Sequence, residues 1–411
     1  MAMTAITKQV VQKAIDEYIA GLQPSLRELN LKIHENPELA YKEQQAHDVL
    51  CEFLESQGIP TTRHAYGLKT AFESLSGNPT GRCVNFNAEY DALPGIGHAC
   101  GHNLIATASV TAFLALAFAI QKFNLPGQAQ LLGTPAEEEG GGKIDLIRAG
   151  AYEKADVSLM MHPISEEELI SHKILGIAGQ PSISCYDITA VYHGVSAHAA
   201  VNPWEGINAL DAVVAAYNNI SMLRQQLRPD ERVHGAILQA PSITNAIPEL
   251  TRTIYTIRSR TMERTRLLGT RVRRCLEAAA LATGCKIELE EDQIYGDLVV
   301  NPPLCKGFAE YMDDQGIRVV ATDDTLMAGS TDQGNVSQIM PALHAVVGIP
   351  VSNGAKNHTR EFTAAAASDE AHRRTILAGK AMAMTGWRVL VDEDFYRDVK
   401  DAFPLTQKDT R

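Results

Sequence analysis

The chain lacks a surplus of positive charge. Its 37 Lys and Arg face 49 Asp and Glu, a formal net charge of −12. This excludes the broad basic patches that a nucleic-acid or anionic-membrane surface requires. A disulfide framework is also missing. The seven cysteines are odd in number and follow no framework spacing, which points to a reducing compartment, most simply the cytoplasm. Residues Met1 to Lys8 contain no apolar core of the kind a signal peptide needs. No apolar run has the length of a membrane span. The longest, Ala106 to Ile120, contains Thr107, Ser109 and Thr111 and reads as a buried helix. Internal repeats and low-complexity linkers are absent. Three catalytic signatures fail as well. Gly194-Val195-Ser196-Ala197-His198 lacks the second glycine of a nucleophile elbow. Gly142-Lys143 lacks the upstream glycine and the following Ser or Thr of a phosphate loop, and no His-Glu-x-x-His occurs.

What is present fits a soluble globular protein of two domains, since 411 residues exceed one ordinary core. Helical patterns cover residues 5–57 up to a stop at Gly58, broken near Asn36-Pro37. Then come a strand pattern ending in Cys83–Phe86, a long helix over about 104–123, and a strand over 129–132. A short helix at 143–149 and a strand at 157–161 follow. This alternation predicts a mainly parallel sheet flanked by helices. Residues 182–292 change rhythm to strand, helix, two strands, helix, strand, the βαββαβ order of a small α+β sandwich. From 302 the first pattern returns, closing with a long helix over 361–386. The expected architecture is α/β: a split catalytic domain, residues 1–181 and 293–411, with an inserted lid or dimerisation domain at 182–292.

The chemistry concentrates after the strands. In Glu89-Tyr90-Asp91-Ala92-Leu93-Pro94-Gly95-Ile96-Gly97-His98-Ala99-Cys100-Gly101-His102-Asn103, a thiol and an imidazole stand two apart around a glycine. Gly101 lets the backbone turn so that both can face one point, a pairing that suits zinc or another first-row metal. An incidental Cys and His in a glycine-rich loop is the plainer alternative. Glu137-Glu138-Glu139 follows the next strand, where a solvated acidic turn is the plainer alternative. His162 follows the third strand and His358 lies near the end of the chain. Ligands bind outside the carboxyl ends of the strands in such sheets, so these clusters should gather along one edge. Cys100, His102, Glu138, His162 and His358 make a plausible dinuclear site. Two metals about 3.5–4 Å apart can share a bridging water, lower its pKa toward ~7 and polarise a carbonyl. Glu137, pointing away from Glu138 on an extended segment, can then take the water's proton.

These segments, with Ile33-His34-Glu35-Asn36-Pro37-Glu38, His193-Gly194-Val195-Ser196-Ala197-His198-Ala199-Ala200, Asn245-Ala246-Ile247-Pro248 and His358-Thr359-Arg360-Glu361-Phe362, run through nearly the whole chain. The set resembles the aminoacylase/carboxypeptidase family of dinuclear metallopeptidases, family twenty of that class. It is most similar to the amidohydrolase subgroup with auxin-conjugate, hippurate and aminobenzoyl-glutamate hydrolases, and within it to the β-alanyl-dipeptidase-like branch. The resemblance implies an amidohydrolase that cleaves an N-acyl-amino acid or dipeptide-like substrate by attack of a metal-bridging hydroxide. It implies two divalent ions per chain held by Cys100, His102, Glu138, His162 and His358, zinc first, with manganese or cobalt as rivals. Glu137 becomes the general base, and Asp91 orients a ligand histidine. His198 stabilises the oxyanion, often across a homodimer, and Asn245 and Arg258 contact substrate. From the residues alone, His198 could equally be a strand-end histidine and Arg258 could pair with a surface acid. Two departures stand out. Asn103 replaces the usual Asp after the Cys-Gly-His motif. Gly329-Ser330-Thr331-Asp332-Gln333-Gly334-Asn335 holds no arginine where glutamate-trimming relatives carry one. The partner is thus a small amide, with no nucleic acid and no membrane. The same site acting on a specialised metabolite or in the condensing direction, or a metal-free scaffold, are the competing readings.

Overall fold

A computed structural model describes residues 7–169 and 174–403. The chain forms two compact units, Met1–Pro181 with Leu298–Leu326 and Thr331–Arg411, and Ser182–Asp297 with Met327–Ser330.

The chain opens with α1 (Lys8–Glu35) and α2 (Gln44–Ser56). Strands β1 (Thr61–Arg63), β2 (Phe72–Gly77) and β3 (Cys83–Ala88) precede α3 (His102–Phe123). After β4 (Gln128–Gly133) and α4 (Gly142–Arg148) come β5 (Val157–Ser165) and β6 (Gly176–Ile177). The second unit holds β7 (Ser184–His193), β8 (Ala197–His198), α5 (Ala209–Leu223), β9 (Arg232–Gln239) and β10 (Ala246–Ile247). It continues with β11 (Leu250–Ser259), α6 (Met262–Thr283) and β12 (Lys286–Glu291). The first unit resumes with α7 (Pro302–Asp314), β13 (Val319–Val320), α8 (Gln333–Ser337) and β14 (Ala342–Ile349). It ends with α9 (Arg360–Ala366), α10 (Asp369–Val391) and α11 (Glu393–Asp401).

In the first unit eight strands form one sheet in the order β1-β2-β4-β3-β5-β14-β6-β13. The central strands β4, β3, β5 and β14 are mutually parallel, while β1, β2 and β6 add antiparallel pairs. Every residue of β3 and β14 is buried, as strands covered on both faces must be. α3 is apolar all round and lies in the core, packed between the sheet and helices α1 and α10. Among the described residues it is the one helix long and apolar enough to cross a membrane, and 94% of its most apolar window is buried inside the fold. The predicted helix over 361–386 is interrupted. Ser368 accepts the N–H of Ala371 and starts α10 as a separate, capped helix. His162 lies within β5 rather than after it, because pairing with β14 continues to Ser165.

The second unit is a four-stranded antiparallel sheet, β12-β7-β11-β9. Helices α5 and α6 share a core with it, including Ile188, Tyr192, Ile257, Val213 and Leu276. It extends to Asp297, beyond the expected 292, because Tyr295 exchanges two backbone hydrogen bonds with Cys185. A short β8–β10 pair, without a periodic signal in the sequence, sets Ala246 opposite His198. β9 is an edge strand with Ile237 and Leu238 exposed, and α5 exposes Val214, Tyr217 and Met222.

Candidate metal centre

Four neighbouring parallel strands deliver the predicted residues, and Glu89 with them, to one end of the first unit's sheet. β3 leads into Glu89, Asp91, Cys100 and His102; β4 into Glu137 and Glu138. β5 carries His162, and β14 is followed by His358. Gly101 turns the chain at φ 77°, and a Cβ there would lie 2.6 Å from the Pro163 ring. Only glycine fits between the thiol and the imidazole. Ala136 and His358 adopt left-handed φ of 59° and 66°. Such strain in non-glycine residues is held in place by surrounding structure and concentrates at functional sites. The N–H of His358 donates to Ala99 O at 2.8 Å, and that of Ala136 to Glu43 Oε1 at 2.9 Å.

The donors converge. Cys100 Sγ is 3.3 Å from His162 Nε2, and His358 Nε2 is 3.7 Å from Glu138 Oε1. Three sets of donor atoms lie within 4.8 Å of one another: Cys100, His102 and His162; Cys100, Glu138 and His358; Glu89, His102 and Glu137. His162 Nδ1–H donates to Pro163 O at 2.9 Å, which leaves the Nε2 lone pair facing the thiol. Burial, with His344 and His102 nearby, holds His162 well below the ordinary histidine range, so the ring is neutral, as a ligand must be.

Asp91 ties the cluster together. It accepts His102 Nδ1–H on one oxygen and the Glu138 backbone N–H on the other, both at 2.9 Å. Burial works against the Asp91 charge, but His102 and these hydrogen bonds hold the carboxyl below its usual range. With Nδ1 so occupied, His102 Nε2 faces Glu89, Glu138 and Glu137 oxygens at 3.6, 3.7 and 3.8 Å, none within hydrogen-bond range. His102 Nε2, Glu89 Oε2 and Glu138 Oε1 are buried and have no hydrogen-bond partner. In the bare protein, burial opposes the imidazolium but the Asp91 charge outweighs it, and His102 is raised well above its ordinary value.

Charge decides what fits here. Glu89, Asp91, Glu137 and Asp332 are buried, as is one lysine, Lys143. Burial and the charges of Glu89, Glu138 and Asp332 push the Glu137 carboxyl well up. Burial and Glu138 likewise push the Cys100 thiol up. Buried carboxylates in such excess are costly without counter-charge. Divalent cations would supply that charge and make ligands of the orphaned nitrogen and oxygens. A coordinated thiol is then deprotonated outright. The mixed thiolate, imidazole and carboxylate set therefore fits first-row divalent metals.

Of the other predicted residues, His198, Asn245 and Arg258 lie in the second unit. His198 is exposed, and its Nδ1 accepts the N–H groups of Ala200 and Val201 at 3.1 and 3.2 Å. Nε2 is therefore the protonated nitrogen, a donor. Asn245 lies alongside, its carbonyl accepting from Ala199 N–H at 3.1 Å. Arg258 is at the other end of β11. Asn103 has a physical account: its amide donates to Ala366 O at 3.0 Å, a bond an ionised Asp could not make.

Sequence reasoning missed Glu43, Glu89, Lys143, Asp332 and His344. Glu89 had a signal, its two-residue spacing from Asp91. Lys143 was visible only as a failed phosphate loop, and Asp332 only as part of a segment without arginine. Glu43 supports the Ala136 turn from α2's start, and burial with the Asp91 charge raises its carboxyl to about 7. The His344 ring lies tilted at 38° to that of His162, with ring centres 5.6 Å apart. No local pattern marked either.

The model of peptidase family M20/M25/M40 matches residues 85–376. A mouse protein, Xaa-Arg dipeptidase, is 40% identical over 97% of this chain and 94% of its own length. One subunit of the p-aminobenzoyl-glutamate hydrolase of Escherichia coli is 24% identical over 95% of this chain and 94% of its own. Two solved structures share the fold. An aminobenzoyl-glutamate utilization protein from Klebsiella pneumoniae has a TM-score of 0.65 at 19% identity, covering 88% of this chain and 98% of that one. A dinuclear metal binding peptidase of the M20 family from Bacillus subtilis has a TM-score of 0.59 at 19% identity, with the same coverage of both. The family match begins on β3 and runs past His358, over all the strands that bring the donors together, and on that extent the chain belongs to peptidase family M20/M25/M40 as a metal-dependent hydrolase of amide bonds.

Proposed function

We propose that the protein is a dipeptidase or N-acyl-amino-acid amidohydrolase whose centre holds two divalent ions on Cys100, His102, Glu138, His162 and His358. The convergence of these donors, with a Glu137 oxygen 3.8 Å from His102 Nε2, carries the reading. A thiolate with imidazoles favours zinc, with manganese or cobalt next. Bound ions would polarise the amide carbonyl and acidify a water. Glu137 takes the proton of the attacking water and returns it to the departing amine. Asp91 fixes the tautomer of His102 and braces the Glu138 backbone. His198, with its proton on Nε2, donates to the developing oxyanion, Asn245 assists beside it, and Arg258 receives a substrate carboxylate with its two-pronged guanidinium.

One copy of the second unit cannot bring all three to one amide. His198 and Asn245 lie beyond the Leu250 end of β11, while Arg258 is eight residues along it, roughly 27 Å at strand rise. Contributions from two copies would remove that constraint, and this supports a homodimer. The exposed edge strand β9, with Ile237 and Leu238 open, and the apolar face of α5 support it further. The seven cysteines form no disulfide among the described residues, which supports a reducing compartment such as the cytoplasm.

Dipeptides ending in arginine are the first substrates to try, because the 40% identical mouse relative is named for them. β-Alanyl dipeptides and N-acyl amino acids come next. The test is a mass-spectrometric hydrolysis screen of these classes with zinc or manganese added, alongside metal analysis of the purified protein. About two ions per chain and cleavage within the panel are expected. No bound metal and no cleavage of any member would leave only a scaffold.

A further inference from the structure

Behind the donor cluster lies a second buried constellation, which the five ligands do not account for. Lys143, in the first turn of α4, is fully buried. Its Nζ donates to Glu89 Oε1 and to Asp332 Oδ1, each at 2.5 Å. Its backbone N–H donates to the other Asp332 oxygen at 2.8 Å. Lysine and both acids have no exposed side-chain surface. The arrangement joins three segments: the exit of β3, the start of α4 and the residue before α8.

The charges do not balance within it. One ammonium faces two carboxylates, so one negative charge is left over in complete burial. The geometry says where that charge is directed. Asp332 has both oxygens engaged by Lys143. Glu89 has only one engaged; its Oε2 has no hydrogen-bond partner and stands 3.6 Å from His102 Nε2, which also has none. One donor atom from each of Glu89, His102 and Glu137 lies within 4.8 Å of the others, and a Glu137 oxygen is 3.8 Å from His102 Nε2. With Nδ1–H held by Asp91, a cation seated between Nε2 and the free Glu89 oxygen would take both as ligands. The two-residue spacing of Glu89 and Asp91 just past β3 puts one carboxylate at each nitrogen of the same ring. Asp91 takes Nδ1–H and Glu89 faces Nε2.

We propose that Glu89 is a sixth metal-facing side chain of this centre, and that Lys143 and Asp332 are positioning residues that hold its free oxygen there. The proposal rests on the dinuclear reading above. Lys143 anchors one Glu89 oxygen, which fixes the side-chain rotation, and Asp332 anchors Lys143. The clamp leaves the centre with one more negative charge than its five ligands carry, so it favours divalent over monovalent occupants.

Cobalt(II) titrated into the metal-free full-length protein tests this without reference to turnover. The thiolate-to-cobalt charge-transfer band reports Cys100, and the d–d bands report coordination number. Glu89→Gln, which preserves shape, is expected to keep the charge-transfer band, change the intensity of the d–d bands, and weaken cobalt binding about tenfold or more in chelator competition. Asp332→Asn is expected to move the same bands in the same direction by less. A Glu89→Gln protein with the parent's spectrum and affinity overturns the assignment of Glu89. A change in Glu89→Gln with none in Asp332→Asn overturns the positioning role. A parent protein that binds no cobalt at all overturns the dinuclear reading instead.

Discussion

The two units handle charge in opposite ways. The first buries Glu89, Asp91, Glu137, Asp332, His102 and Lys143 at the ends of its central strands. The second builds its core from residues such as Ile188, Tyr192, Val213, Leu276 and Ile257, and leaves His198 and Asn245 on its surface. Groups that perform chemistry on a water need a dry site where fields are strong. Groups that grip a substrate must be reachable. Substitutions among the proposed metal ligands of the first unit should therefore disturb metal, fold and rate together, whereas those at the proposed base Glu137 and at the proposed substrate contacts of the second unit should alter rate or affinity and leave the metal in place.

Four substitutions would sharpen or break that contrast. Glu137→Gln should have the largest effect, lowering kcat by about 10²–10⁴-fold with metal content unchanged by elemental analysis. Retained turnover would put the base elsewhere. His198→Ala should lower kcat by about 10²–10³-fold, since it removes the proposed oxyanion donor. Its melting temperature and metal content should match the parent, and a large fall in either would break the distinction between the units. Arg258→Ala should raise KM by about 10–100-fold for substrates with a free carboxylate and leave amidated analogues unaffected, measured by steady-state kinetics. The smallest effect concerns His372, in α10 away from the centre. Burial, with Arg27 nearby, lowers it to about 4. Its unfolded value is about 6.5, so the unfolded chain binds the proton first as pH falls. The stability it contributes is complete above about 6.5 and is lost between there and about 4, on the order of 1–3 kcal/mol. Urea unfolding at pH 7 and pH 4.5 should show this loss in the parent and a shallower one in His372→Gln.

Much of this was legible in the sequence. Strand and helix periods placed the parallel sheet, and residue chemistry flagged Cys100, His102, Glu137, Glu138, His162 and His358 as neighbours at its edge. The remainder depends on tertiary contact. Lys143 reads as an ordinary first-turn lysine until the fold sets it between Glu89 and Asp332. Glu43 and Ala136 are 93 positions apart, and nothing local predicts their hydrogen bond. The break between α9 and α10 turned on one side chain, Ser368, in a run of alanines that would otherwise continue a helix. Asn103, a departure in the sequence with no evident role there, is a tie between α3 and the end of α9.

The wholly apolar α3 also bears on how the protein is made. Its cover on one side is α1, synthesised before it, but on the other it is α10, near the far end of the chain. At about 5–20 residues per second, translation leaves one flank of that helix bare while the whole second unit emerges. During that interval α3 has the hydropathy of a membrane segment. A nascent chain stalled or truncated before Asp369 should therefore be a client for chaperones and prone to aggregate, and the donor cluster, whose first proposed ligand is Cys100, can be completed only when His358 arrives.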